Sequence, residues 1–232
     1  MDKNEIWWEA YHSLKQNKAL YAYFEARGIS KLDLSAYDVG LGINKDFDFE
    51  QKIVNFNKAV VFPIKDLFGR PIAFSYKKAG KHDFVTNGEK TQGYLWNFYE
   101  SLFRYDFEWL VLCEGCSDAL TFEYLGWRAI SLNTATYSVR QLRDLYRYHD
   151  KYIICFDNDS TGEKFAGKLS KALFEKGCIV RSLSIKPYKD ANEALQELGY
   201  HDLSDLVFRR LEFEDVVTER EIESGVSEEN IL

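Results

Sequence analysis

Hydrophobic positions follow a helical period only at the start of the chain. Between residues 4 and 26 they recur at three- and four-residue spacing, which predicts one or two helices. Gly28 follows in the position where glycine commonly ends a helix. Residues 31–100 hold short apolar runs separated by turn residues, which predict a small mixed, largely antiparallel region. Its predicted elements are a strand at 59–64, a hairpin turn at 66–70, a returning strand at 71–77, a loop at 78–83 and a short strand at 84–86.

From residue 108 onward, apolar runs of strand length alternate with stretches of helix length. One of these stretches opens with Ser138 and carries Gln141 three residues later, the pattern of a capping box. Regular alternation of strand and helix predicts a parallel, doubly wound sheet, in which the ligand site lies at the carboxyl ends of the strands. The predicted strands are WLVLC at 109–113, AISLN at 129–133, YIICF at 152–156 and IVRSLSI at 179–185.

Acidic side chains follow two of these strands directly. Glu114 comes after the first strand, and Asp157 and Asp159 come after the third. A single acid in such a position is commonly a helix cap, so each acid alone indicates little. Together they gather carboxylates at one edge of the sheet, and oxygen ligands without a His or Cys pattern indicate Mg²⁺ or Mn²⁺. Further polar residues at this edge are Asn133 after the second strand and Lys189, Asp190, Asn192 and Glu193 after the fourth.

Two cysteines flank the first of these acids in the run CEGC at 113–116. A zinc site would need further ligands at suitable spacing, and Cys155 and Cys178 fall in or beside other predicted strands. A metal or redox role for the pair stays an alternative, and buried free thiols are the preferred interpretation. Gly115 and Gly162 lie beside the acids and leave room for backbone or phosphate groups.

The composition is that of a globular chain with an uneven charge distribution. The 232 residues are 46% hydrophobic and 16% aromatic, with no apolar run of membrane-spanning length and no secretory signal pattern. The formal net charge is −7, and residues 211–232 hold eight acids against one Arg. Residues 63–92 hold six Lys or Arg against three acids. This local basic segment is compatible with a phosphate-rich partner, and a solvated surface is the alternative.

Three short motifs in the second half of the chain resemble the Toprim domain shared by primases, topoisomerases and some nucleases. They are EG-x-x-D at 114–118, FDND-x-x-G at 156–162 and KDANEAL at 189–195. Upstream motifs are similar to the catalytic core of bacterial DnaG-type primases and to the primase half of phage helicase–primases. These motifs are YF-x-x-RGI at 23–29, VFPI at 61–64, GR-x-IAF at 69–74 and GYLWN at 93–97. The resemblance covers about residues 20–198.

The resemblance implies a fold and an activity. The fold class is α/β, with a Toprim-type parallel sheet flanked by helices and preceded by a smaller mixed α+β subdomain. The implied activity is that of a DNA primase, a DNA-directed RNA polymerase that makes short RNA primers on single-stranded DNA by divalent-metal-assisted nucleotidyl transfer. The expected segments are an N-terminal helical segment at 1–30, a mixed α+β basic subdomain at 31–105, a Toprim domain at 106–200 and a short helical, acidic tail at 201–232.

Each candidate site residue takes its implied role from the matched motif. Asp157 and Asp159 are expected to bind Mg²⁺ or Mn²⁺, and Glu114 is expected to bind metal or to act as general base. Asp118 is a weaker candidate for an outer contact to the metal. The expected contacts to nucleic acid or NTP are Arg70, Lys77, Lys81, Asn87 and Lys90, with Lys189, Asp190 and Asn192 weaker.

The sequence also departs from the bacterial primase pattern. Residues 1–30 contain no Cys and only His12, so the zinc-binding module of these primases is not expected here. The helicase-binding domain is expected to be missing or reduced to the acidic tail, and Thr161 stands where topoisomerase-type versions carry a third acid. The expected partners are single-stranded DNA, NTPs and a helicase or other replisome subunit, in the cytoplasm and away from membranes. A Toprim-type metal-dependent nuclease and a non-catalytic replisome adaptor are the alternatives.

Overall fold

The computed structural model describes residues 5–30, 32–49, 52–86, 93–103, 107–134 and 136–213. The first two helices are α1, Glu5–Ser13, and α2, Lys18–Glu25. Asn17 caps α2 with its side-chain oxygen, and Gly28 follows the helix with a φ of 81°, a left-handed conformation that suits glycine. A short 3₁₀ helix, Leu34–Tyr37, leads into the first sheet. None of the helices in these ranges is long and apolar enough to cross a bilayer.

Six strands follow, most of them in an antiparallel sheet. The strands are β1, Gly40–Leu41; β2, Asp46–Asp48; β3, Ile53–Asn55; β4, Val60–Lys65; β5, Pro71–Lys78; and β6, Lys81–Thr86. The sheet has the strand order β1-β4-β5-β6. Strands β2 and β3 form a separate hairpin between β1 and β4 in sequence, and this hairpin has no counterpart among the predicted strands.

The prediction of a loop at 78–83 is wrong. Lys78 pairs with Lys81, so β5 and β6 are joined by a two-residue turn at Ala79 and Gly80, both with positive φ. The first half of β6 is exposed. Its polar residues are typical of a loop in sequence, but they form an edge strand.

The second half of the chain is a four-stranded parallel sheet with its helices. The elements are α3, Phe98–Ser101; β7, Leu110–Cys113; α4, Cys116–Tyr124; β8, Arg128–Ser131; α5, Val139–Tyr148; β9, Lys151–Ile154; α6, Ser160–Phe174; β10, Ile179–Ser182; and α7, Ala191–Phe213. The strand order is β10-β9-β7-β8. The short helix α3 precedes the sheet, and α5 begins with the predicted Ser138–Gln141 capping box. The final helix, α7, is interrupted at Gly199, whose φ of 78° is not helical.

Successive strand residues point to opposite faces of the parallel sheet and build two cores. Leu112 and Ile154 belong to the core that includes residues of α5 and α6. Val111 and Ile153 belong to the core on the other face, which includes α2, α4, α7 and β4. The predicted α/β class, a parallel sheet flanked by helices and preceded by a smaller mixed region, is confirmed. The predicted segment boundaries stay predictions, and α7 crosses the one at residue 200.

A buried polar cluster connects α4 and β8 to the 3₁₀ helix and to the segment before α3. The Glu123 carboxylate receives hydrogen bonds from the Arg128 guanidinium at 3.0 Å, the Tyr37 hydroxyl at 2.9 Å and the Asn97 amide at 2.8 Å. The side chains of Glu123 and Arg128 are only 3% and 5% exposed. Nearby, Trp96 pairs with Ser131 and adds one antiparallel bridge to the edge of β8. These contacts hold the 3₁₀ helix before β1 and the segment before α3 against α4 and β8.

Candidate functional site

Two acids meet at the carboxyl edge of the parallel sheet. Leu112 of β7 is in register with Ile154 of β9, so the chain leaves both strands at the same edge. Glu114 begins the turn after β7, and the backbone N–H of Asp157, in the turn after β9, donates to its Oε1 at 3.3 Å. The parallel register therefore brings together two residues that are 43 positions apart in sequence.

The environment of Glu114 makes its ionised form costly. Burial, followed by the nearby charges of Asp157 and Asp159, raises the pKa of Glu114 from 4.5 to about 7. The Ser131 hydroxyl donates to the Glu114 backbone carbonyl at 2.8 Å and holds the turn against β8. This carboxyl group is therefore poised to change its charge near neutral pH.

Asp157 lies between positive and negative neighbours. Burial raises its pKa, and Asp190 and Asp159 act in the same direction. The Lys189 ammonium opposes this effect and lies 3.4 Å from one Asp157 carboxylate oxygen and 3.7 Å from an oxygen of Asp190. The pKa of Lys189 is raised in turn, chiefly by Asp157. Lys189 is 61% exposed and so is available to an anionic ligand as well.

Asp159 has a structural contact in addition to its predicted role. One of its carboxylate oxygens accepts from the backbone N–H groups of Thr161 at 2.9 Å and Gly162 at 2.8 Å, which makes it the N-cap of α6. The cap directs the carboxylate toward the start of α6, beside the turn that carries Asp157. A cap and a metal ligand are compatible because a carboxylate has two oxygens.

Two further acids approach from α4 and α7. Burial and the charges of Asp190 and Asp157 raise the pKa of Asp118 to about 7, and the backbone N–H of Asn192 donates to it at 3.1 Å. Asp190 accepts from the backbone N–H of Glu193 at 2.8 Å and so caps the start of α7. The acidic edge therefore extends from β7 across β9 to the helix that follows β10.

Gly162 allows the two acidic turns to pack closely. A Cβ atom at this position would lie 2.1 Å from the backbone oxygen of Asp157 and 2.9 Å from Oε1 of Glu114. Distances below 3.0 Å to backbone are not tolerated. The glycine in FDND-x-x-G is therefore required by the approach of α6 to both acids, as the sequence reasoning anticipated.

The chemistry of this edge suits a hard divalent cation. Its carboxylates raise one another's pKa, and a cation would relieve that repulsion through oxygen ligands. These carboxylates are not preassembled as a metal site. In the described ranges, no three His, Cys, Asp or Glu side chains are arranged so that they could hold one ion. Glu114, Asp157 and Asp159 are the residues that would hold it.

The cysteines beside Glu114 are buried in the protein. All four cysteines of the chain are buried free thiols, as predicted. The Cys116 thiol donates to the side-chain oxygen of Asn133 at 2.9 Å, and burial raises the pKa of Cys116 to about 12. A buried thiol with a raised pKa is a poor nucleophile, which argues against a redox role for CEGC. No cluster of three His, Cys, Asp or Glu side chains in the described part of the chain is arranged to hold a metal ion, which argues against a metal role.

Lys77 lies beside the acidic edge, where the sequence reasoning expected a cationic group. Its ammonium donates to the Ser117 hydroxyl at 2.9 Å, and it lines a cleft of about 420 Å³ together with Asp118 and Asp190. Arg27 lines the same cleft and stacks on the Tyr23 ring at 3.7 Å. Arg27 was not among the predicted site residues, although it belongs to the YF-x-x-RGI motif that carried the resemblance.

Arg70 does not form a single wall with Lys77. Arg70 lies at the opposite end of β5, where its guanidinium pairs with Asp66 at 2.7 Å. Strand geometry places the two positions roughly 23 Å apart. Lys81 is exposed at the start of β6. Asn87 and Lys90 lie outside the described residues.

Asn192 is occupied by structural contacts. Its side chain is buried and donates to the Thr121 hydroxyl at 3.2 Å and the Arg27 carbonyl at 3.3 Å. Its backbone positions Asp118 instead of presenting the amide to a ligand. A direct contact from this side chain to an NTP would require those bonds to break.

Comparison with known proteins identifies the architecture. Residues 111–195 match a family model described as Toprim-like. A DNA primase of Thermotoga maritima is 24% identical over 90% of this chain and 43% of its own length. The chain thus spans less than half the length of the curated relatives it matches.

Solved structures extend the likeness to the upstream half. A DNA primase domain from Pseudomonas aeruginosa superposes with a TM-score of 0.72 at 21% identity, over 91% of this chain and 78% of that one. The chain has the fold of the DnaG primase catalytic core. The primase fragment of the bacteriophage T7 primase-helicase protein is also similar, with a TM-score of 0.60 at 21% identity over 79% of this chain and 72% of that one. The resemblance stated from the sequence motifs, to Toprim and to both kinds of primase core, is confirmed.

Proposed function

We propose that this primase-like chain is a DNA primase that makes short RNA primers on single-stranded DNA by divalent-metal-assisted nucleotidyl transfer. The observation that carries the proposal is the meeting of Glu114 and Asp157 at the carboxyl edge of a Toprim-like sheet. A T. maritima relative named DNA primase and the fold of primase cores support the same assignment.

The proposed reaction joins two nucleotides. A ribose 3′-hydroxyl attacks the α-phosphate of an incoming NTP, a new phosphodiester bond forms, and pyrophosphate leaves. Mg²⁺ or Mn²⁺ held by Glu114, Asp157 and Asp159 would neutralise the triphosphate and lower the pKa of the attacking hydroxyl. Mg²⁺ is the expected cofactor and Mn²⁺ the alternative, since both prefer oxygen ligands.

The side chains around the edge supply charge and proton transfer. Glu114, with a pKa raised to about 7, is suited to accept the hydroxyl proton at a carboxylate oxygen when it is not a metal ligand. Lys189 and Lys77 offer ammonium groups to the triphosphate on two sides of the acids. Arg27, on the wall of the same cleft as Lys77, can pair with phosphate through two parallel hydrogen bonds.

The proposed partners follow from the same assignment. Single-stranded DNA is the template and NTPs are the substrates. One structural relative is a fragment of a primase-helicase protein, so we include a replicative helicase or another replisome subunit as a partner. The predicted segments at 1–30, 31–105, 106–200 and 201–232 are retained as the proposed division of the chain.

Primer synthesis on a defined single-stranded template tests the proposal. The protein is incubated with labelled NTPs and Mg²⁺ or Mn²⁺, and the RNA products are separated by length. Glu114→Gln and Asp157→Asn are expected to abolish synthesis. Asp150→Asn makes the same chemical change in an exposed residue before β9, at the opposite edge of the sheet, and is expected to keep it.

Other outcomes of this assay point to the alternatives. Metal-dependent cleavage of the DNA without RNA synthesis would favour the Toprim-type nuclease. Neither activity, together with retained binding to a helicase, would favour the non-catalytic adaptor. RNA synthesis that persists at full rate in both acid variants would contradict the proposed role of the acidic edge.

A further inference from the structure

Lys189 brings a positive charge into direct contact with the acidic edge. The acids of this edge are Glu114, Asp118, Asp157, Asp159 and Asp190. Among the described residues, Lys189 is the only Lys or Arg that forms an ion pair with any of them, at 3.4 Å to Asp157 and 3.7 Å to Asp190. An ammonium in this position does in part what a divalent cation would do, because it reduces the repulsion between carboxylates.

The chain segment that carries Lys189 is anchored by the core only at its ends. Residues 183–190 join β10 to α7. Ile185 and Ala191 are buried, whereas Lys186 and Lys189 between them are exposed. Core packing therefore does not by itself fix the distance from Lys189 to the acids.

Asn158, which directly follows Asp157, fastens this segment to the turn after β9. Its backbone N–H donates to the Lys189 carbonyl at 2.7 Å, and its side-chain amide donates to the Tyr188 carbonyl at 2.5 Å. Its side-chain oxygen accepts from the Ser184 hydroxyl at 3.3 Å. These three hydrogen bonds tie the segment that carries the lysine to the turn that carries the acid.

Further hydrogen bonds hold the same segment to α7. The Arg210 guanidinium donates to the Lys186 carbonyl at 2.7 Å, and the Glu193 carboxylate accepts from the Lys189 backbone N–H at 2.5 Å. Both partners belong to α7, so these bonds fix the segment relative to that helix. Its position relative to the acidic turn depends chiefly on Asn158.

We propose that Lys189 is an internal counter-ion of the acidic edge, held against Asp157 by Asn158, and that it leaves Asp157 for the triphosphate when the carboxylates take up a divalent cation. An ammonium and a divalent cation beside the same carboxylate repel each other, so the two compete. Lys189 is 61% exposed, and its side chain can turn away without opening the core. The transfer to the triphosphate rests on the proposed function, whereas the competition does not.

Binding of Mn²⁺ without NTP, at constant ionic strength, tests the competition by electron paramagnetic resonance of the free ion. Lys189→Ala is expected to tighten Mn²⁺ binding by about two- to fivefold, the factor that one exposed ion pair supplies. Lys186→Ala is the matched control, because it removes the same charge from the same segment but from a pair with Glu163 of α6, at 2.5 Å. Lys189→Arg keeps the charge and should bind Mn²⁺ as the unchanged protein does. Equal Mn²⁺ affinities for the two Ala variants would overturn the proposal.

Asn158→Ala tests the positioning role. It removes both side-chain hydrogen bonds and keeps the backbone bond to the Lys189 carbonyl. Mn²⁺ binding is expected to tighten by less than in Lys189→Ala, and the double variant should bind no more tightly than Lys189→Ala, because both changes act through one ammonium. A merely structural role predicts the opposite sign, since a loosened Asp157 binds Mn²⁺ more weakly. Asn17→Ala, which removes two side-chain bonds at the start of α2, is the control and should leave Mn²⁺ affinity unchanged.

The ion pair also has a readout without metal. In EDTA, Lys189→Ala is expected to lower the denaturant midpoint more than Lys186→Ala does, because it leaves the acids without their paired cation. In a double-mutant cycle the effect of Lys189→Ala should shrink once Asp157→Asn has removed the charge. A Lys189 effect that does not depend on Asp157 would contradict the counter-ion role.

The two proposals fail in different ways. If Asp157→Asn keeps primer synthesis while Lys189→Ala tightens Mn²⁺ binding, the assigned chemistry is wrong and the counter-ion stands. If Asp157→Asn abolishes synthesis while Lys189→Ala and Lys186→Ala bind Mn²⁺ alike, the chemistry stands and the counter-ion is wrong. The transfer to the triphosphate predicts that Lys189→Ala raises KM for NTP by about tenfold or more, the loss of one charge-assisted hydrogen bond. An unchanged KM would refute that transfer.

Discussion

Gly162→Ala places a methyl group where the structure has no room for one. The added Cβ would lie 2.1 Å from the backbone oxygen of Asp157 and 2.9 Å from Oε1 of Glu114, whereas ordinary contacts begin at 3.4 Å. The Asp157 turn would have to move by about 1.3 Å, because the obstructing atom is backbone and cannot rotate away. Overpacking of this kind costs about 1–3 kcal/mol of folding free energy.

The effect on activity is expected to exceed the effect on stability. The displaced turn carries Asp157, which we propose as a metal ligand, and a displacement of about 1 Å in a catalytic group costs roughly 100-fold in rate. The loss of stability lowers the melting temperature by about 2–4 °C for each kcal/mol in a protein of this size. Gly162→Ala should therefore remain folded at 25 °C while losing most of the proposed primer synthesis.

Gly167→Ala provides the matched control in the same helix. Its Cβ meets nothing within 4 Å, and alanine in an exposed helix interior is favoured over glycine by about 0.5–1 kcal/mol. Denaturant midpoints by circular dichroism and initial rates of RNA synthesis are measured for both variants. A Gly162→Ala protein as stable and active as Gly167→Ala would refute the packing argument.

Three further predictions concern stability. The pKa of Glu114 is raised above its ordinary value, so the folded state binds that proton more tightly than the unfolded state. The free energy of unfolding in EDTA is therefore expected to fall as the pH rises from about 4.5 to 7. Denaturation curves across this range should show a smaller fall for Glu114→Gln. Glu123→Leu or Arg128→Leu leaves the other buried charge without its partner and should lower the free energy of unfolding by about 3–5 kcal/mol. In a double-mutant cycle measured from denaturant midpoints, the double replacement is expected to cost less than the sum of the two single replacements. Ser138→Ala removes the α5 capping box and should lower the free energy of unfolding by about 1 kcal/mol.

The parallel sheet could be predicted from sequence because its signals are local. Each strand is a short apolar run that ends in turn residues, and the Ser138–Gln141 capping box marks the start of α5. The β5–β6 hairpin could not be predicted in the same way. Half of β6 is an exposed, polar edge strand, and only its pairing with β5 distinguishes it from a loop.

The acidic edge was predictable because parallel strands end at the same side. Glu114 and Asp157 needed only the strand order to be placed together. The place of Arg27 beside the acids and the separation of Arg70 from Lys77 could not be predicted, because tertiary packing sets the neighbours of these side chains. Arg27 lines the cleft from a backbone position whose carbonyl accepts a hydrogen bond from Asn192, 165 residues away in sequence. Arg70 faces α5 because of where the β4–β5 turn packs.

Diffraction from crystals soaked in Mn²⁺, collected at the manganese absorption edge, tests the central claim most directly. An anomalous peak bonded to carboxylate oxygens of Glu114, Asp157 and Asp159, and lost in Asp157→Asn crystals, is the predicted result. Carboxylates that point apart, with no peak beside them at Mn²⁺ concentrations that support RNA synthesis, would contradict it.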